Sequence, residues 1–437
     1  MAAALIIGFI ALAVAGGVAI SYVAGSAAVL AFVAAGYGDY LAIMPQRIFS
    51  QIDVFTFLSM PLFILAGELM TRGGVTRALI DLAMLLVGRL RGGLGYVNIA
   101  ASVFLAGVSG SAVADAAATS RTLVPAMVDR GYRRDYAAAL TAASCVIGPI
   151  IPPSIVMIFY GALMNVSVAA MFAGGIVPGL LMAVFLFAYN GWVARREDHP
   201  GGAGVELPRV GPTVLRAVPA LAIPVVIVGG IVFGVVTPTE AAALAVAITV
   251  VLVVVYRWMD RPGDVLRHVW SEGSRAVESA VMLTGSIFMI LVAAAIFGYL
   301  VGILRVPQTI AEAVTTLDLT ATGYFLIASL VMFAAGMVMD VTMALVLMVP
   351  VLIPAAIAAG ADPVHVGVVT CLNLTLGLIS PPFGGILMVV SAASRVSYAR
   401  LSLAVLPFLG VQVLLLVLLI LVPELTLTLP RLAGLIN

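Results

Sequence analysis

Apolar runs of membrane-spanning length recur along this chain, and no other feature limits its fold so strongly. Clean examples cover about 169–193, 218–236, 239–256, 279–304 and 401–424. A helix of roughly 20 residues crosses the hydrocarbon layer of a bilayer. Hydrophobic side chains make up 63% of the 437 residues and charged ones 9%, against about half and a quarter in a soluble domain. The apolar content suffices for about nine to twelve membrane segments. It excludes a soluble enzyme, a disordered scaffold and a coiled coil. A nucleic-acid binder would need a basic surface, whereas 21 basic residues face 20 acidic ones for a net charge of +1. A β-barrel fits poorly, because its strands would alternate polar and apolar residues.

The two cysteines, Cys145 and Cys371, lie inside apolar runs and read as small buried hydrophobes. No disulfide framework or metal-ligand spacing is present. The stretch from Met1 to Val33 has no charged leader region and is too long for a signal peptide, so it reads as a first span over about 4–34. The run 54–87 contains Pro61, Glu68, Arg72 and Arg77 and reads as broken.

Two further runs are interrupted in the first half. Residues 94–129 are split by Gly107-Val-Ser-Gly-Ser111, and 136–165 by Gly148-Pro-Ile-Ile-Pro-Pro153. In the second half 322–358 is split by Gly336-Met-Val-Met-Asp340, and 363–393 by Gly377-Leu-Ile-Ser-Pro-Pro382. Asp115 precedes Pro125 by ten residues, as Asp340 precedes Pro350. The pattern predicts an internal duplication with an offset of about 225 residues. Its halves are 1–200 and 217–437, joined by a cytoplasmic linker over 201–216.

Positive residues favour the cytoplasm. Arg89 and Arg91 precede the first hairpin and Arg130, Arg133 and Arg134 follow it, so both its ends read as cytoplasmic and the hairpin as re-entrant. Glu312, Asp318 and Asp362 flank the second, whose ends read as external. Arg195, Arg196, Arg257–Arg275, Arg395 and Arg400 all fall inside on this count. The N-terminus is then cytoplasmic and the C-terminus periplasmic. The expected fold is an all-α polytopic membrane protein with inverted-topology repeats, each holding a re-entrant hairpin and a broken helix. Such repeats characterise secondary transporters, with the site at the bilayer midplane.

Broken helices expose backbone groups that survive at membrane depth only when buried in protein or lining a cavity. Free carbonyls can hold a cation, and free amides an anion. Hard oxygen ligands suit Na⁺. In the first half the candidates are Ser109, Gly110, Ser144 and Gly148; in the second they are Gly336, Asp340, Thr342, Asn373 and Gly377. Asp115 and Asp340 are charged groups inside apolar runs and are functional candidates by default. Asp340, beside a tip, is the stronger, while Asp115 serves equally well as a helix cap. Glu240 in Thr237-Pro-Thr-Glu240 reads as part of a helix start. Glu68 and Glu278 receive no role.

Proteolysis is a weaker fit. Gly107-Val-Ser-Gly110 has the form of an intramembrane serine-protease motif, but a serine nucleophile needs a base. His365, next to Asp362, belongs to the other hairpin's surroundings. Gly36-Tyr-Gly-Asp39 lies in a polar loop without an aspartate partner in a span. No Gly-x4-Gly-Lys phosphate loop supports an ATP-driven pump.

Longer motifs carry a family resemblance. The run from Gly107 (GVSGSAVADAAA), Pro125-Ala-Met, the stretch AALTAASCVIGPIIPPSIVMIFYG ending at Gly161, TPTEAAA from Thr237, GMVMD at Asp340, the DPVH run after Asp362 and NLTLGLISPPFG from Asn373 occur in order. Together they resemble the large membrane subunit of tripartite ATP-independent periplasmic (TRAP) transporters, over nearly the whole chain. The resemblance implies no enzyme and no cofactor other than Na⁺ as coupling ion. It implies Na⁺-coupled uptake of an organic acid across the inner membrane by an elevator motion. A periplasmic binding protein would deliver the substrate, and a separate four-helix membrane subunit would join the chain. The substrate would meet Ser111, Asp115, Arg121 and Thr342 near the tips, and Pro153, Ser154, Pro382 and Gly384 at the breaks. Arg121 either holds the anion or, as the favoured alternative, pairs with Asp115. Ser120, Leu123, Gly385 and Ile386 depart from the family pattern near that site and leave the particular substrate open. A stand-alone Na⁺- or H⁺-coupled carboxylate symporter is the nearest alternative, and a scaffold with vestigial breaks a third.

Overall fold

The computed structural model describes residues 8–9, 12–13, 16–201 and 207–436; the side chains of Ile20, Val108 and Ser109 are outside that description. All regular elements among the described residues are helical. Part of the expected first span and residues 202–206 of the expected linker therefore lie outside the described residues. The described part of the span is α1, Ile20–Ala34. A short amphipathic helix, α2 (Met44–Ile52), follows. The run read as broken forms α3 (Ser59–Arg72) and α4 (Val75–Val87), separated at Gly73-Gly74, where Gly74 adopts φ 85°.

The first hairpin is α5 (Gly93–Ser109) and α6 (Ala112–Asp129). The first broken helix is α7 (Arg134–Cys145) and α8 (Ile155–Met164), followed by the long span α9 (Val168–Arg196). Then come α10 (Val210–Val232), α11 (Pro238–Asp260), the 39-residue α12 (Val265–Ile303) and α13 (Val306–Thr316). The second hairpin is α14 (Ala321–Val338) and α15 (Val341–Ala358). The second broken helix is α16 (Pro363–Gly377) and α17 (Gly385–Ser394), followed by α18 (Tyr398–Leu421) and α19 (Glu424–Leu432). Seven of these helices are long and apolar enough to cross a membrane. Helix α10 begins inside the stretch read as linker, so its last seven residues are helical.

Several helix starts at the tips and breaks are capped by side chains, because free amides are costly in hydrocarbon, although α17 begins at Gly384 without one. Ser111 Oγ accepts from Ala114 N at 3.4 Å, Ser154 Oγ from Met157 N at 3.2 Å, and Asp340 Oδ2 from Thr342 N at 3.0 Å. Asp362 Oδ1 accepts from Val364 N and His365 N at 2.8 and 3.1 Å. The motif Thr237-Pro-Thr-Glu240 closes a full capping box at the start of α11.

From the hairpins to the breaks the two sets of elements share one register, and beyond the breaks, from Ile155 and Gly385 onward, the offset is 230. Ala112 and Val341, Arg134 and Pro363, and Gly148 and Gly377 are each 229 positions apart. The expected pairing of Asp115 with Asp340 is therefore one turn out: Asp340 corresponds to Ser111, since both are helix caps. Contacts are reciprocal: α6 packs on α17 as α15 packs on α8, and α7 packs on α18 as α16 packs on α9. Outside this unit, α12 packs against α1, α3 and α15, and α3 against α11.

Candidate functional site

Each hairpin tip rests on the break of its own half. In the first half Gly110, at φ 57°, turns the chain between α5 and Ser111. A Cβ on Gly110 would lie 3.3 Å from the Pro153 carbonyl oxygen. Beyond the break, a Cβ on Gly148 would lie 3.1 Å from Asp115 Oδ2 and 3.9 Å from Ala112 N. Gly110, Gly148, Pro153, Asp115 and the start of α6 are thus brought together. Asp115 is 4% exposed, one turn inside its helix. Ser144, one turn before Gly148, donates to Asn98 Oδ1 at 3.1 Å, and Asn98 Nδ2 donates to Thr141 Oγ1 at 2.6 Å. Sequence reasoning missed Asn98, although a carboxamide within an apolar run is itself a signal. The Ser109 side chain lies outside the described residues.

In the second half, Gly336 of α14 crosses Gly377 of α16 with no room for a side chain. A Cβ on Gly377 would overlap the Gly336 backbone, and one on Gly336 would sit 2.9 Å from the Leu374 carbonyl oxygen. Gly384 N donates to the Met337 carbonyl at 3.4 Å. Asn373 Nδ2 donates to the Ser329 carbonyl at 2.7 Å, while Asn373 Oδ1 and Ser329 Oγ are buried without a hydrogen-bond partner. Two uncommitted oxygens one to two turns from the glycine crossing fit a hard cation.

Several expected residues take other places. Asp340 is exposed and spends one carboxylate oxygen on its own helix; Asp115 is the buried acid. Gly110-Ser111 supplies turn and cap in the first hairpin, whereas Asp340 itself is the cap in the second. Ser154 is fully buried, donating to the Pro149 carbonyl and accepting from Met157 N. Pro382 is exposed, with its carbonyl accepting from Tyr398 Oη at 2.8 Å. Arg121 is exposed and makes no ion pair among the described residues. Six positions are about 240° around a helix, so the favoured pairing of Arg121 with Asp115 does not form. Ser120, Leu123 and Ile386 are buried packing residues, while Gly385 is exposed. His365 Nδ1 lies 2.8 Å from Thr426 Oγ1 and Asp362 caps α16, so neither serves a tip serine.

This arrangement is that of a multi-pass membrane transporter, not of an enzyme. Residues 3–425 match the family described as the tripartite ATP-independent periplasmic transporter, DctM component. The sialic acid TRAP transporter large permease protein SiaM of Vibrio cholerae is 35% identical, with 89% of each chain covered. The 2,3-diketo-L-gulonate TRAP transporter large permease protein YiaN of Escherichia coli is 36% identical, with 88% of each covered. The crystal structure of the Alcanivorax borkumensis YdaH transporter shares the fold at a TM-score of 0.63 and 15% identity, over 88% of each chain. The chain belongs to the DctM-component family of TRAP transporters, as its motifs lead one to expect.

Proposed function

We propose that this chain is the permease of a Na⁺-coupled importer of an organic acid in the bacterial inner membrane. A periplasmic binding protein delivers the substrate, and a small four-helix subunit completes the membrane complex. The observation that carries the reading is that each hairpin tip closes on the break of its own half in matched register, so helix-start amides and freed carbonyls meet twice. The amides favour a carboxylate, and sialic acid and 2,3-diketo-L-gulonate, named for two relatives, are carboxylates. Asn373 Oδ1 and Ser329 Oγ, with carbonyls near Gly336 and Gly377, offer one cation site; Ser144, Gly148 and Asp115 offer its counterpart. The hairpins, broken helices, α9 and α18 form the moving unit of an inverted-repeat elevator, and α1, α3, α10, α11 and α12 the scaffold.

The melting temperature in NaCl against KCl tests the ion assignment without a known substrate. A ligand that binds only the folded state raises stability by mass action. Na⁺ should raise the wild-type value, and Asn373→Leu should abolish the difference. Asp340→Asn keeps the cap; loss of the Na⁺ increment in that variant as well would place the carboxylate on the ion. Equal melting in both salts, in detergent and in lipid, would overturn Na⁺ coupling. Uptake into vesicles that does not depend on an added binding protein would favour the stand-alone symporter.

A further inference from the structure

A basic recess of 580 Å³ lies where the start of α7 meets the junction of α17 and α18. Four arginines line it, Arg133, Arg134, Arg395 and Arg400, against a single acid, Asp135. Asp135 is already bonded to Arg133 at 2.7 and 3.2 Å, and Arg134 donates to the Ser394 carbonyl at 3.3 Å. Arg395 and Arg400 have no ion-pair partner among the described residues. Helix α18 opens into the same recess at Ser397, which gives it no side-chain cap, so its first amides add to the positive field.

Three observations point to what the recess holds. Arg395 adopts φ 57°, a left-handed conformation that its counterpart Asn165 fills at φ 54°. Asparagine is an ordinary choice there and arginine is not, so the guanidinium is kept at a backbone cost. Along α18 the face of Arg400 continues as exposed leucines, with Leu403 70%, Leu414 63% and Leu421 57% exposed. Beside the recess, sharing Arg133 with it, Trp192 is 53% exposed and stacks on Arg196 at 5.1 Å, the aromatic signature of a membrane–water interface. Guanidinium groups match phosphate oxygens in bidentate fashion, and basic pockets between membrane helices hold anionic headgroups.

We propose that Arg133, Arg134, Arg395 and Arg400 form a binding site for the phosphate of an anionic phospholipid, whose acyl chains lie along the exposed leucine face of α18. The chemistry recognised is a phosphate oxygen array; the leucine stripe selects the lipid over a dissolved anion. Arginines retained only to orient the chain in the membrane would need no recess and no adjoining apolar track.

The test is the melting temperature of the purified chain in neutral detergent, titrated with short-chain phosphatidylglycerol, short-chain phosphatidylcholine or inorganic phosphate. Phosphatidylglycerol alone should raise it. In the double variant Arg395→Asn, Arg400→Gln the apparent affinity should fall about 25-fold, roughly five-fold for each arginine. Asparagine suits the backbone of position 395, so the variant should fold; Arg400→Gln alone, with a five-fold loss expected, serves if it does not. An unchanged phosphatidylglycerol response in both variants would overturn the proposal. So would an equal wild-type response to phosphatidylcholine, or to inorganic phosphate, which would make this a soluble-anion site. No transported substrate is needed, so the outcome is independent of the transport reading.

Discussion

Gly377 shows how closely two backbones approach at the second break. Its missing side chain is the space that Gly336 occupies, and neither backbone can move without disturbing a helix. Gly377→Ala should cost about 1–3 kcal/mol, the usual range for overpacking, read as a lowered melting temperature. Gly385→Ala, where the new Cβ would meet only Leu378 Cδ2 at 3.6 Å, should be close to neutral; because alanine favours a helix over glycine, equal losses would show that the crossing is not what decides. The residues legible from sequence were those whose type is informative alone: glycine and proline at breaks, acids in apolar runs. Ser329 and Tyr398 were not legible, because each matters through a partner on another helix, Asn373 and the second break, whereas Asn98, the partner of Ser144, was a visible carboxamide that was passed over. The positions of Asp115 and Asp340 were visible but not their places in the helices, since identical spacing to a proline hid a one-turn difference in where each helix begins.

At the scale of elements, the helix starts were the most legible, because a cap is a local pattern. Thr237 and Glu240 satisfy each other's amides at the start of α11. Thr237→Ala should therefore lower stability by about 1 kcal/mol, and Thr237→Ser should retain it; no loss in the alanine variant would mean that water serves as well at this exposed end. The hairpin and broken-helix limits agree with the apolar runs to within a few residues, since glycine and proline mark both sides of each gap. The start of one expected span was misplaced, and helices α13 and α19 were not expected. Helix α10 starts at Val210 amid glycine and proline that read as linker, and its buried face, with Ala217, Ala220 and Ile223, supplies the packing that overrides local preference. Helix α19 packs on α9, and Thr426 bonds His365; at 9 residues it is too short to stand out as a span.

At the scale of the whole molecule, order and spacing implied a duplication, while the 229-position register and the exchange of contacts between halves needed tertiary structure. The segment Glu197–Pro200 ties the first half together at its arginine-rich end. Asp198 pairs with Arg91, Gly92 N donates to the Pro200 carbonyl at 3.1 Å, and Glu197 lies 3.7 Å from Arg133. His199 is wedged between Tyr132 and Tyr136, ring centroids 4.6 and 4.8 Å away, and is 5% exposed. Burial holds its pKa below the usual histidine value, although Glu197 at 3.5 Å opposes the shift. The unfolded chain then binds a proton that the folded chain resists, so stability is full above about pH 6.5 and falls as pH drops toward the lowered folded value. Asp135, whose pKa Arg133 lowers, contributes fully above the ordinary carboxylate range and loses that contribution only as pH falls through it, so its share is constant over the interval tested. Between about pH 7.5 and 5.5 the wild-type melting temperature should decline, and His199→Phe, which preserves the stacking and cannot charge, should flatten that decline. An unchanged slope in the variant would assign the acid sensitivity to another group and leave His199 as packing alone.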